Sequence, residues 1–161
     1  MIQEQVNHPQ HYNQHPAGIE CIDVIRHYTC DIANAIKYLW RAGLKKDYSQ
    51  SDCDKEIEDL HKAMWYIADY LTTCETKGCQ HRPLGCAAST VLLRLTGHGI
   101  DDVVSGYESN VATAISGLLR VGIISNHTVY AVVDWKYWLE QSAKSILQRI
   151  DDIENKIDKE G

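Results

Sequence analysis

Lys37 and Arg41 stand four residues apart in the run Asn34-Ala35-Ile36-Lys37-Tyr38-Leu39-Trp40-Arg41, a spacing that sets both cations on one face of a helix. Both are phosphate-binding residue types, and arginine adds a planar fork that grips two oxygens at once. Lys62 would bring a third positive charge if its own helix lies antiparallel beside the first, and Lys45 and Lys46, just past Gly43, are placed to close over a terminal phosphate. Acids supply the complement. Glu20 with Asp23, and Glu56 with Asp59, each share a helical face, and two such faces meeting can hold a hydrated Mg²⁺ beside phosphates. His11 and Tyr12 follow a proline that restricts the chain. A histidine there can donate to phosphate or move a proton, and a tyrosine can stack on a base. The chemistry these types support is the binding of a small polyanion. The plain alternative is a set of solvated helix faces with ordinary Glu–Lys pairing and acids that stabilise helix starts.

The overall balance restricts the ligand class. Formal net charge is −6, with 9 basic against 12 acidic side chains in residues 1–82 and 7 against 10 in residues 83–161, so neither half has the broad basic surface that non-specific nucleic-acid binding needs. The sequence contains no Gly-x-x-x-x-Gly-Lys-Ser/Thr loop, no Gly-x-Gly-x-x-Gly fingerprint and no Gly-x-Ser-x-Gly elbow. Any phosphate site must therefore be built from helices. The opening residues carry no export signal and no stretch is apolar enough to span a membrane, so a cytoplasmic protein without membrane contact is expected. Its six cysteines are then expected as reduced thiols, with Cys21 and Cys30 in the core.

Helical periods position these residues. A hydrophobic share of 44% suffices for a packed core, and the expected class is mainly α. Residues 1–73 read as a helical, three-helix bundle-like domain that carries the polyanion-binding residues, a nucleotide-binding domain if the resemblance described below holds. Its first helix spans Ile19 to about His27. The second runs from Asp31 as N-cap to Ala42, with Gly43 as its left-handed stop. In the third, Ile57, Leu60, Met64, Ile67 and Leu71 repeat at intervals of 3, 4, 3 and 4. On the second helix Asn34, Lys37, Tyr38 and Arg41 form a stripe opposite Ile32, Ile36 and Leu39.

Residues 74–85 read as a linker, where Gly78, Pro83 and Gly85 interrupt the period. Within and beside it Cys74, Cys79, His81 and Cys86 are four zinc-compatible ligands. They lack a close Cys-x-x-Cys pair, so zinc stays an option beside buried thiols. His8, His11 and His15 match no strong metal pattern. Residues 86–134 follow the order helix, helix, helix, hairpin and loosely resemble a winged helix, with Ser109–Arg120 as the recognition helix and Gly122–Asp134 as the hairpin. That helix carries one cation, Arg120, which argues against DNA binding. Residues 135–161 read as one long helix whose Leu139, Ala143, Ile146, Ile150, Ile153 and Ile157 form a heptad seam. The preferred partner for the seam is a second copy of the chain, and packing back on the N-terminal bundle is the alternative.

Three blocks, His8-Pro9-Gln10-His11-Tyr12, Asn34 to Lys46, and Asp59-Leu60-His61-Lys62-Ala63-Met64-Trp65-Tyr66, together with Gly18-Ile19-Glu20 and Asp23, resemble in order and spacing the SaV-like family of small phage proteins, which includes a phage-encoded nucleotide kinase without a P-loop. The resemblance covers about residues 8–70. It implies a phage protein in an infected host cell that handles nucleotides. The activity it suggests is phosphoryl transfer from a nucleoside triphosphate to a deoxynucleoside monophosphate. Lys37, Arg41, Lys62 and His11 would be catalytic, His8, Tyr12, Asn34, Tyr38, Lys45, Lys46 and Tyr66 nucleotide-binding, and Glu20, Asp23 and Asp59 ligands of Mg²⁺. Rival readings use the same face: a non-enzymatic sequestrant of a nucleotide signal, an all-α nucleoside triphosphate pyrophosphohydrolase, and, less in keeping with the charge, a winged-helix regulator.

Overall fold

The computed structural model describes residue 12 and residues 14–44, 46–77, 88–121 and 135–160. They form α1 (Cys21–Ile25), α2 (Cys30–Arg41), α3 (Asp52–Lys77), α4 (Ala88–Thr96), α5 (Ile100–Val104), α6 (Ser109–Leu118) and α7 (Trp135–Glu160), with no β-strand among the described residues. The protein is mainly helical, as its periodicity requires. The hairpin expected over Gly122–Asp134 lies outside the described residues.

Local signals explain the boundaries. α2 buries Ile32, Ala35, Ile36, Leu39 and Trp40, a stripe at intervals of three and four, and its N-cap falls at Thr29 rather than at Asp31. Gly43 follows with φ +74°, a left-handed turn that a side chain would strain. A Cβ there would also come within 3.2 Å of the Glu56 carboxylate. Ser51 opens α3 by accepting a hydrogen bond from the Asp54 N–H at 3.0 Å, while its hydroxyl donates to the Asp54 carboxylate at 2.7 Å. α3 then runs to Lys77, well into the stretch expected as linker.

Side-chain pairs fix how the long helices lie. Arg41 meets Asp59, Tyr38 meets Tyr66, and Asp31 feels the charge of Asp69, so α2 and α3 are antiparallel. α7 lies antiparallel to α3, with Lys136 on Glu75 at 2.9 Å and Arg149 on Glu56 at 2.8 Å, and antiparallel to α6, with Ser142 on Ala114 and Asn110 on Asp152. The described core residues from Ile19 to Ile153 form one hydrophobic cluster, with members on both sides of residues 78–87 and 122–134. Buried donors tie the parts together: Tyr28 Oη donates to the Leu119 carbonyl at 3.0 Å, Tyr107 Oη to the Trp40 carbonyl at 3.3 Å.

Two expectations differ from the observed packing. Leu139, Ile146, Ile150 and Ile153 of the C-terminal seam are buried against α3 and α6 of the same chain, so the intermolecular coiled coil preferred for this helix has lost most of its apolar face to intramolecular packing. Cys21 is buried as expected, but Cys30 sits at the first turn of α2 and is exposed.

The α6–α7 contact depends on one missing side chain. A Cβ at Gly117 would fall onto Ser142 Oγ and within 2.9 Å of the Trp138 carbonyl. Gly117→Ala should therefore destabilise the protein by about 1–3 kcal/mol through overpacking, read as a lower urea midpoint. An unchanged midpoint would mean that the two helices do not approach this closely.

Candidate functional site

The antiparallel α2–α3 pair carries a two-layer cluster of charge. In the buried layer Arg41, 8% exposed, grips Asp59 with both edges of its fork, Nε to Oδ2 at 3.1 Å and Nη2 to Oδ1 at 2.8 Å. Its Nη1 reaches Tyr12 Oη at 3.2 Å. Lys55, 3% exposed, donates to Asp59 Oδ1 at 3.2 Å and to Glu58 Oε2 at 2.6 Å. Burial works against the charge on both cations, but the facing carboxylates outweigh it and hold each above its ordinary pKa. Burial also raises the Tyr12 hydroxyl, against the pull of Arg41, and pushes the Cys21 thiol up to about 12, with Lys37 and Arg41 opposing.

The outer layer is solvent-facing. Glu58 accepts from Lys55, from Lys62 and, at 2.9 Å, from Gln50 Nε2, and these donors hold its carboxyl far below the usual carboxylate range. Beside it three cations from two helices surround the Tyr38 ring: Arg41 Cζ at 4.5 Å, Lys37 Nζ at 5.7 Å and Lys62 Nζ at 5.8 Å from the centroid. Tyr38 stacks on Tyr66 at 5.8 Å with 20° between planes, and Trp65, 61% exposed, meets Tyr66 edge-on at 4.9 Å. Lys37, Arg41, Lys55 and Lys62 against Glu58 and Asp59 leave two positive charges in surplus within the cluster.

The expected site residues divide accordingly. Lys37, Tyr38, Arg41, Lys62 and Tyr66 come together, with Tyr12 behind Arg41. Arg41 is nonetheless not an open phosphate fork: its guanidinium is engaged by Asp59 and Tyr12, and it acts as the link between α2 and α3. Asn34 turns to its own helix, donating to the Cys30 carbonyl at 2.9 Å, and Lys46 is exposed on Asp52 at 3.0 Å. His8, His11 and Lys45 lie outside the described residues. His15 is a core residue, with Nδ1 accepting from the Ala17 N–H at 3.1 Å and Nε2 facing the Val103 carbonyl at 2.8 Å, an arrangement that places its proton on Nε2.

The expected Mg²⁺ set is not assembled. Glu20 stands at the start of α1, Asp23 pairs with Arg26 at 2.8 Å, and Asp59 is enclosed by Arg41 and Lys55. Among the described residues no three His, Cys, Asp or Glu side chains converge on a metal position. Of the zinc-compatible set, Cys74 is a free thiol on α3, and Cys79, His81 and Cys86 lie outside the described residues.

Sequence reading missed Lys55, Glu58, Gln50 and Trp65. The signal for the first two was present, since Lys55, Glu58, Asp59 and Lys62 repeat at the helical intervals of ion pairs. Burial of a lysine, and exposure of a tryptophan in an apolar run, are set by packing and leave no such trace.

Residues 6–68 match the family model described as a protein of unknown function (DUF3310). The matched stretch contains the whole charge cluster and the Tyr38–Tyr66–Trp65 group. No curated protein and no solved structure matches the chain.

Two outcomes test the cluster. Arg41→Ala leaves Asp59 buried with one partner in place of two and should lower unfolding free energy by about 3 kcal/mol, measured in urea. Glu58 titrates lower in the folded chain than its ordinary value of 4.5, so its stabilising contribution is complete above that pH and is lost as pH falls below it. The thermal midpoint of Glu58→Gln should accordingly fall less steeply than that of the native protein below about pH 4.5, and parallel profiles would discount the Lys55–Glu58–Lys62 network.

Proposed function

We propose that the α2–α3 face binds a nucleotide, with phosphate oxygens on Lys37 and Lys62 and the base against the aromatic group of Tyr38, Tyr66 and Trp65. The observation that supports this is the convergence of cations from two helices on Tyr38, whose ring stacks on Tyr66, which in turn meets the exposed Trp65 edge-on. Phosphate needs charge-assisted donors and a base needs a π-face, and this surface offers both side by side. Arg41 serves the site by position: bridged to Asp59, it holds Tyr38 and Tyr12 in place and leaves the two lysines as the cations available to a ligand.

The resemblance to the SaV-like family supplies the reaction to test. A monophosphate oxygen of the acceptor attacks the γ-phosphorus of a nucleoside triphosphate, the bond to the β–γ bridging oxygen breaks, and two diphosphates result. Lys37 and Lys62 would neutralise charge on the transferring group, and His8, His11 and Lys45 complete the set that the resemblance implies. No side chain is assigned to Mg²⁺, because the acids expected to hold it are apart. The buried, fully engaged state of Arg41 and Asp59 favours a second reading, a sequestrant that holds the nucleotide without turning it over. The pyrophosphohydrolase reading depends on paired acidic faces that do not meet.

A DNA-reading role for α6 has little support: Arg120 folds back over the Trp138 ring at 4.7 Å and donates to the Ser116 carbonyl at 2.6 Å. Association of two copies through α7 would use Ile157, the end of the seam left uncovered, together with the exposed Tyr137 and Leu147. Among the described residues no helix is long and apolar enough to cross a membrane.

Incubating the protein with a nucleoside triphosphate, Mg²⁺ and each deoxynucleoside monophosphate, then separating products by anion exchange, distinguishes these readings. New diphosphates mark the kinase, pyrophosphate the hydrolase, and retained unaltered ligand the sequestrant. Lys37→Ala and Lys62→Ala should each weaken nucleotide binding about 10-fold, equivalent to about 1.4 kcal/mol. Affinity unchanged in both folded variants would remove the assigned phosphate site.

A further inference from the structure

Glu58 is the one carboxylate in the outer layer on which several donors converge. Lys55 and Lys62 approach it from the preceding and following turns of α3, and Gln50 reaches it from the loop before the helix. Two ammonium groups and an amide aimed at the same two oxygens form a cradle for an anion, and the anion seated there is the protein's own. The strength with which its members are held differs. Lys55 is buried and also bound to Asp59, so it is fixed. Lys62 and Glu58 are 41% and 39% exposed along their side chains, and an ion pair so open to water is weak and readily exchanged.

Resting on the nucleotide reading above, we infer that Glu58 is a built-in competitor for ligand phosphate: it occupies Lys62 in the empty site, and a bound phosphate takes Lys62 from it. A phosphate dianion carries twice the charge of a carboxylate and has three oxygens to accept with, so it wins a lysine held by an exposed pair. Glu58 is not left bare when Lys62 turns away, because Lys55 and Gln50 remain on it. Lys62 is already near the Tyr38 ring, so the exchange asks for a rotamer change and no movement of the helix. The device selects by charge. A nucleoside, lacking phosphate, gains nothing from displacing Glu58, and a nucleotide does.

Isothermal titration of the four deoxynucleoside 5′-monophosphates and the matching deoxynucleosides into the native chain, Glu58→Gln, Glu58→Asp and the double variant Glu58→Gln/Lys62→Met tests this. Glu58→Gln should tighten monophosphate binding about 3- to 5-fold, the range an exposed ion pair can supply, and leave nucleoside binding unchanged. Glu58→Asp, which keeps the charge but shortens its reach toward Lys62, should move affinity in the same direction and serves if the amide variant does not fold. In the double variant the gain should vanish. Equal monophosphate affinity in native and folded Glu58 variants overturns the inference while leaving the nucleotide site standing. So does a gain that persists without Lys62, since it would reflect net charge alone. Failure of every protein to bind any monophosphate overturns both, and binding that emerges only in the Glu58 variants supports the competitor strongly.

Discussion

Asp59 is sealed from solvent between a guanidinium and an ammonium group, and the placement of α2 against α3 follows from it. A carboxylate this deep is tolerable only if both its oxygens are met by strong donors, so Arg41 must end α2 opposite Asp59 and Lys55 must lie one turn earlier on α3. Apolar stripes alone would let two helices slide by a turn at modest cost. The buried triad admits one register, and that register brings Tyr38 opposite Tyr66 and gathers Lys37 and Lys62 on the same side. Specificity of arrangement is what such a cluster contributes here, since much of its electrostatic gain is offset by desolvation.

On the nucleotide reading proposed above, the charge cluster explains how an acidic chain offers an anion site. Long-range attraction is absent, with a net charge of −6, so recognition must come from a local surplus of cations whose surroundings are arranged in advance. Arg41 and Lys55 are locked inward. The lysines that remain outward sit beside aromatic faces, where a ligand with a planar ring and a phosphate can satisfy both kinds of contact at once.

Much of this was legible in the sequence, for reasons specific to each element. The intervals of Ile57, Leu60, Met64, Ile67 and Leu71 identified α3 because an amphipathic helix must repeat its apolar residues, and Gly43 identified the end of α2 because few other residues adopt its φ of +74°. The neighbourhood of Lys37, Tyr38, Arg41, Lys62 and Tyr66 followed from helical spacing and an antiparallel guess. The role of Arg41 did not, because sequence cannot say whether a cation on a face points to solvent or to a carboxylate on the next helix. The acids were misjudged for the same reason: Glu20, Asp23 and Asp59 have the right chemistry for a cation, but tertiary packing gives Asp23 to Arg26 and Asp59 to Arg41. α7 was foreseen as a helix, but not what covers it. Its heptad seam fits a second copy and the flank of α3 equally well, and periodicity does not encode which of the two covers it.

The position of α7 has a consequence for how the molecule is made. Arg149 joins Glu56 across 93 residues of chain, and the flank of α3 that α7 covers is laid down early in synthesis. Until the distant helix emerges from the ribosome, that greasy strip lacks the cover it has in the finished fold. Closing this contact is a long-range docking event, the slow and aggregation-exposed kind of closure, even though every element involved is a helix that forms quickly by itself.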